Sequence, residues 1–147
     1  MIGRWIFAAL HLLALAIGPA SVFARGRALS GTLDSQGLAR VFFADNLWGF
    51  AAGLWLLTGI PRLFLEKGIP YYMQHPLFVT KLGLFVLIFA LEVGPMVTLI
   101  RWRIAQRKGE AIDTSAAARM SAISFIEAAL VLVIVFLATA AARGMWA

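Results

Sequence analysis

Five ionisable residues interrupt long apolar runs: His11, Asp45, Lys81, Glu92 and Glu127. A charge inside hydrocarbon is costly unless solvent, a ligand or an opposite charge meets it, so each marks a place where the chain does something specific. His11 offers an imidazole nitrogen, which suits a haem iron, or else one hydrogen bond between helices. Lys81 offers a mobile ammonium that would neutralise a carboxylate or a porphyrin propionate, or would snorkel to lipid headgroups. Arg62 and His75 enlarge this basic zone, and Glu66 is placed to pair with either basic side chain.

Glu92 and Glu127 form the second group, with Asp45 and its neighbour Asn46 beside them. Two apposed carboxylates disfavour double ionisation, so they share a proton or receive a cation. The other reading is a static one, in which the acids hydrogen-bond between helices or pair with Arg25. Ser121 and Ser124 have no histidine arrangement that makes a nucleophilic triad. His11 and His75 alone do not specify zinc, so His11 is a metal ligand only if haem is bound.

These residues need a scaffold that holds them inside a membrane. The 147 residues are 62% hydrophobic and 14% charged, with mean hydropathy +0.88 and net charge +6. Soluble domains average about 45 to 50% apolar and about 25% charged residues, so the chain reads as an integral membrane protein. The basic residues mostly sit between apolar runs, which fits membrane topology and argues against nucleic acid as a partner. There is no cysteine, hence no disulfide, thiolate ligand or cysteine nucleophile.

Four segments reach the roughly 20 residues that a span requires: 2–24, 39–60, 77–100 and 122–142. The expected fold is all-α, an antiparallel bundle of four transmembrane helices in a single domain covering 1–147. The first run is longer than the roughly 7 to 15 apolar residues of a cleavable signal, so it is expected to be retained. Pro61, Gly68, Pro70 and Pro76 put turns and a short interfacial helix around Arg62 to Lys67 in the second connection. Asp113, Thr114 or Ser115 is expected to cap the approach to the fourth span.

Gly49 and Gly53 give the second helix a small-residue face for close helix packing. Pro95 removes an amide hydrogen bond from the third and favours a bend near Gly94. Trp5, Trp102 and Trp146 lie near helix ends, as headgroup anchors do. Arg25, Arg27, Arg40, Arg101, Arg103, Arg107, Lys108 and Arg119 fall on one side. Arg4, Arg62, Lys67, Lys81 and Arg143 fall on the other, so both termini are expected outside.

His11, Arg25 to Arg27, the 40–49 run with Asp45, Asn46 and Trp48, the 66–76 linker, Lys81, Glu92, Pro95 and Arg101 to Arg103 together resemble an uncharacterised family of small bacterial membrane proteins. That resemblance covers most of the chain and implies a bacterial inner-membrane location without an activity. A weaker one links the chain to oxygen-independent protoporphyrinogen oxidase and to copper-resistance membrane domains. It implies roles for His11 and Lys81, while the later histidine of the oxidase pattern is replaced near Glu92 and the second helix is altered.

Three readings follow. In the leading one the chain holds haem b or another tetrapyrrole, with His11 on iron and Lys81 and Arg62 on propionates, and it serves electron transfer or oxidation with a partner. In the second it is a proton or cation carrier that uses Asp45, Glu92 and Glu127. In the third it is an oligomeric structural protein whose partners are lipids and further copies of itself.

Overall fold

The computed structural model describes residues 1–145, apart from the side chain of Glu66, so Trp146 and the pairing of Glu66 lie outside the described residues. With no water in hydrocarbon to satisfy the backbone, an apolar chain of this kind closes its hydrogen bonds within helices. α1 (Ile2–Leu29) runs past the expected end at Ala24, because nothing before Ser30 and Gly31 breaks it. The extension carries Arg25 out of the expected loop and into the bundle. α2 (Ser35–Arg62) starts on Asp34, whose Oδ1 accepts the Gly37 N–H at 2.7 Å. A Cβ at Gly37 would run into the Thr32 carbonyl oxygen, so this turn needs glycine.

Pro61 does not end α2; the helix continues to Arg62 and widens into a π turn over Leu63–Lys67. Gly68 breaks the run at φ 79°, a conformation that disfavours side chains. The short α3 (Ile69–Met73) follows, and Pro76 opens α4 (Pro76–Arg107) at a position where its missing N–H costs nothing. α4 overshoots its expected end at Ile100 and places Arg101 and Arg103 on the helix. In the next loop Asp113 accepts the Ser115 N–H at 3.0 Å, which holds its carboxyl below the usual carboxylate range. α5 (Ala117–Ala142) then starts without a side-chain cap.

Four of these helices are long and apolar enough to cross a membrane. α1 packs against α2 and α5, and α4 packs against α5. The seam between α2 and α4 is closed by side chains, among them Trp55 edge-on to Phe85 at 5.2 Å. Short connections make the neighbours antiparallel.

The buried face of α5 reads Ala117, Met120, Ser121, Ser124, Glu127, Ala128, Val131 and Ile134, a three-and-four spacing. In a soluble helix that face would be the apolar one. Lipid provides no such contrast, and here the small and polar residues turn inward while Phe136, Leu132 and Val133 face out. Two apolar clusters result. One joins Ala14, Val22, Trp48, Trp55, Ile88 and Val131; the other joins Leu29, Leu38, Val41, Leu99, Trp102 and Met120 near the first and third loops.

Trp102 is therefore a core residue, 4% exposed, rather than a headgroup anchor, whereas Trp5 is exposed. Gly49 and Gly53 have open space where a Cβ would stand, so the close contact expected there is not made within the chain. It occurs at Gly18, against Trp48 and Ala51, and at Gly26, against the Phe125 ring. Pro95 is fully buried in α4.

Candidate functional site

Arg25 is the organising residue of the bundle, with a side chain at 0% exposure. The backbone around it explains the depth. Ser121 Oγ donates to the Gly26 carbonyl at 2.8 Å, and Gly26 lets the Phe125 ring lie close, so α5 is drawn against α1 at this level. Arg25 Nε then donates to Ser124 Oγ at 3.0 Å, and the Ser124 hydroxyl donates to the Met120 carbonyl at 2.8 Å.

The rest of the guanidinium faces carboxylates. Nη1 donates to Asp45 Oδ1 at 2.9 Å and to Glu92 Oε1 at 2.8 Å; Nη2 donates to Glu92 Oε2 at 2.8 Å and to Glu127 Oε2 at 3.3 Å. These bonds use all five guanidinium N–H groups. Asp45 turns its second oxygen to Arg103 Nη2 at 2.9 Å, and the same nitrogen reaches Asn46 Oδ1 at 3.0 Å. Arg103 also lies over the Phe42 ring, 5.0 Å from its centroid.

The site is thus built by all four spanning helices: Arg25 from α1, Asp45 from α2, Glu92 and Arg103 from α4, and Ser124 and Glu127 from α5. Glu92 and Glu127 stand within about 4 Å of the midpoints of their helices, at the rise of an α-helix. Asp45 and Glu92 retain 15% and 18% side-chain exposure, and Arg103 27%, while Glu127 has none. Glu127 Oε1 is buried without a hydrogen-bond partner.

The three acids expected to group together do so, around an arginine that the sequence reading had placed in a loop. With every group ionised, three carboxylates face two guanidinium groups, one negative charge in excess. A single proton on Glu92 or Glu127, which meet at the same Nη2, makes the cluster neutral. Among the described residues no three metal-ligating side chains converge as a metal site would require. The acids wrap an arginine instead of enclosing space for a cation.

About 21 Å away along α1, His11 belongs to a separate zone. Its Nδ1 lies 2.8 Å from Thr58 Oγ1, and Thr58 donates its hydroxyl proton to the Leu54 carbonyl at 2.6 Å. Thr58 must therefore accept from His11 Nδ1–H, which leaves the lone pair on Nε2. Arg62 and Lys81 lie close enough to act on His11 electrostatically, so the structure brings the three basic residues of the sequence reading together. Lys81 also sits over the Phe78 ring, and His75 packs at a tilt against the Tyr71 ring instead. Between the two zones lies the apolar layer of Ala14, Trp48, Trp55, Ile88 and Val131, in which Trp55 Nε1 has no partner.

Residues 3–145 match the family described as predicted membrane protein (DUF2214). The chain belongs to that family. No curated protein and no solved structure matches it significantly. The family description and the four apolar helices agree on a multi-pass membrane protein. Two contributors to this cluster, Ser124 and Arg103, were named from sequence only as a serine without a triad and as a loop charge. The signal for the first was present in the spacing of Ser121, Ser124 and Glu127, which marks one helix face.

Proposed function

We propose that this chain is a proton-exchanging carrier of the bacterial inner membrane, with Arg25, Asp45, Glu92 and Glu127 as its proton-binding centre. One observation carries the reading: a largely buried cluster holds one more carboxylate than it has guanidinium groups, and the fully buried Glu127 leaves Oε1 without a partner. In hydrocarbon that excess charge is costly, and protonation of one carboxylate, COO⁻ to COOH, removes it without rearranging the helices.

Access is asymmetric. Asp45, Glu92 and Arg103 keep partial exposure at the α2–α4 seam, whereas the apolar layer separates the cluster from His11. With more basic residues on the side of the first and third loops, that side is cytoplasmic and both termini are outside. On this reading the cluster exchanges protons with the side of the first loop, to which Arg25 lies nearer along α1, and release to the other side requires the layer around Trp48 and Trp55 to part. The test is proton flux into protein-containing vesicles carrying an internal pH dye. Acidification under an imposed gradient that Glu92→Gln abolishes supports the carrier, and no flux above that of protein-free vesicles refutes it.

His11 favours a second reading. Its Nε2 lone pair beside Lys81 and Arg62 suits a haem iron with propionates nearby, and the bound group would supply redox chemistry. Visible absorbance with pyridine-haem quantification tests it: a stoichiometric haem signal lost in His11→Ala supports this reading, and no signal after haem-supplemented expression refutes it.

A further inference from the structure

Outside the polar zones, an apolar groove of about 850 Å³ runs along the lipid-facing valley between α1 and α2. Its floor on α1 is Ala16, Ala20, Ala24 and Ala28, one alanine per helical turn, which leaves a trough where longer side chains would fill it. Phe23 and Phe43 wall it and remain 52% and 66% exposed. Arg27 and Arg40 close the end nearest the first loop. Among the described residues neither guanidinium has an ion pair or hydrogen bond.

We infer that this groove binds one anionic phospholipid, its phosphate between Arg27 and Arg40 and an acyl chain along the alanine trough. Charge chooses the occupant: two exposed arginines beside the first loop suit an anion, and a second copy of this chain, itself at net charge +6, would on balance repel them. Length agrees. From Arg27 to Ala16 the groove descends about 16 Å, one leaflet of a hydrocarbon core about 30 Å thick. Loss of this site and loss of proton exchange are separable, because no groove residue contacts the Arg25 cluster's hydrogen bonds.

The experiment is native mass spectrometry of the full chain in detergent, titrated with phosphatidylglycerol or with phosphatidylcholine of the same acyl chains. The expected result is preferential retention of one phosphatidylglycerol. Substituting Arg27→Gln and Arg40→Gln together should lower that preference roughly thirtyfold, since each basic residue at a charged surface contributes about fivefold. Arg107→Gln, outside the groove, should leave it unchanged, and Ala20→Phe, which fills the trough, should weaken both lipids. Equal retention of the two lipids by the unaltered chain overturns the inference. So does a preference that survives the double substitution, or one that Arg107→Gln lowers as much. If Ala20→Phe instead dissociates a dimer while lipid retention is unchanged, the groove seats a second copy and the inference also fails.

Discussion

Glu92 grips Arg25 with both carboxylate oxygens, Oε1 to Nη1 and Oε2 to Nη2, each at 2.8 Å. Parallel bonds of this kind fix orientation as well as distance, and here they tie α4 to α1, two helices that do not pack against each other directly. The pair therefore braces the bundle across its diagonal, while the α2–α4 side is packed by side chains such as Trp55 and Phe85.

Arg25→Ala should be the most damaging single substitution in the bundle. It leaves two or three buried carboxylates without their cation, a loss of about 3–5 kcal/mol for a broken buried pair. Arg25→Lys should recover only part of that, because an ammonium has three donors and no fork to meet Glu92. Thermal unfolding in a mild detergent measures both, and a lysine variant as stable as the parent would show that the fork is unimportant.

At the α1–α5 contact, a Cβ on residue 26 would stand 3.0–3.1 Å from the Phe125 ring. Gly26→Ala should destabilise by about 1–3 kcal/mol through overpacking. Combining it with Phe125→Leu should cost less than the sum of the two single changes. Strict additivity in a double-mutant cycle would mean that the ring moves aside freely.

The imidazole of His11 should be in the Nδ1–H form, because the Thr58 hydroxyl directs its hydrogen at the Leu54 carbonyl and has only its lone pairs left for Nδ1. Nitrogen-15 shifts of the labelled histidine read this directly. Thr58→Val removes the acceptor and should abolish the preference for that tautomer, at a cost of about 1–3 kcal/mol for the unpaired donor. An Nε2–H form in the unaltered chain would contradict the arrangement and remove the basis for an iron ligand at Nε2.

In the α4–α5 loop, the Ser115 N–H stabilises the ionised Asp113 carboxylate. The folded-state value is depressed, so its stabilising effect is present above the unfolded pKa and is lost as pH falls through the folded one. Carbon-13 titration of the Asp113 carboxyl should give a midpoint below that of a model peptide, and Ser115→Pro, which has no N–H, should return it to the ordinary range.

The four spans and their antiparallel order were legible because length and hydropathy alone decide what crosses a membrane. Their ends were not. Arg25 and Arg103 looked like loop charges because positive residues normally mark the membrane edge. A carboxylate one helix away reverses that logic, and no pattern within one helix reveals it. Trp102 misled similarly: an indole near a helix end anchors at headgroups or fills a core, and only the placement of Leu29, Leu38 and Met120 decides which. The grouping of Asp45, Glu92 and Glu127 was legible from depth, and that of His11, Arg62 and Lys81 likewise. Which atoms meet depends on helix rotation, fixed here by contacts such as Gly26 with Phe125 that distant sequence positions do not announce.

Infrared difference spectroscopy of the protein in lipid nanodiscs, titrated across the pH range in which it stays folded, tests the proton-binding centre most directly. The account predicts one carboxyl that takes up and releases a proton within the Arg25 cluster, with a carbonyl stretch that shifts in heavy water and is missing from Glu127→Gln, while that variant remains folded. A spectrum in which no such carboxyl titrates, or one unchanged by Glu127→Gln, would contradict it and leave the cluster as a static tie between four helices.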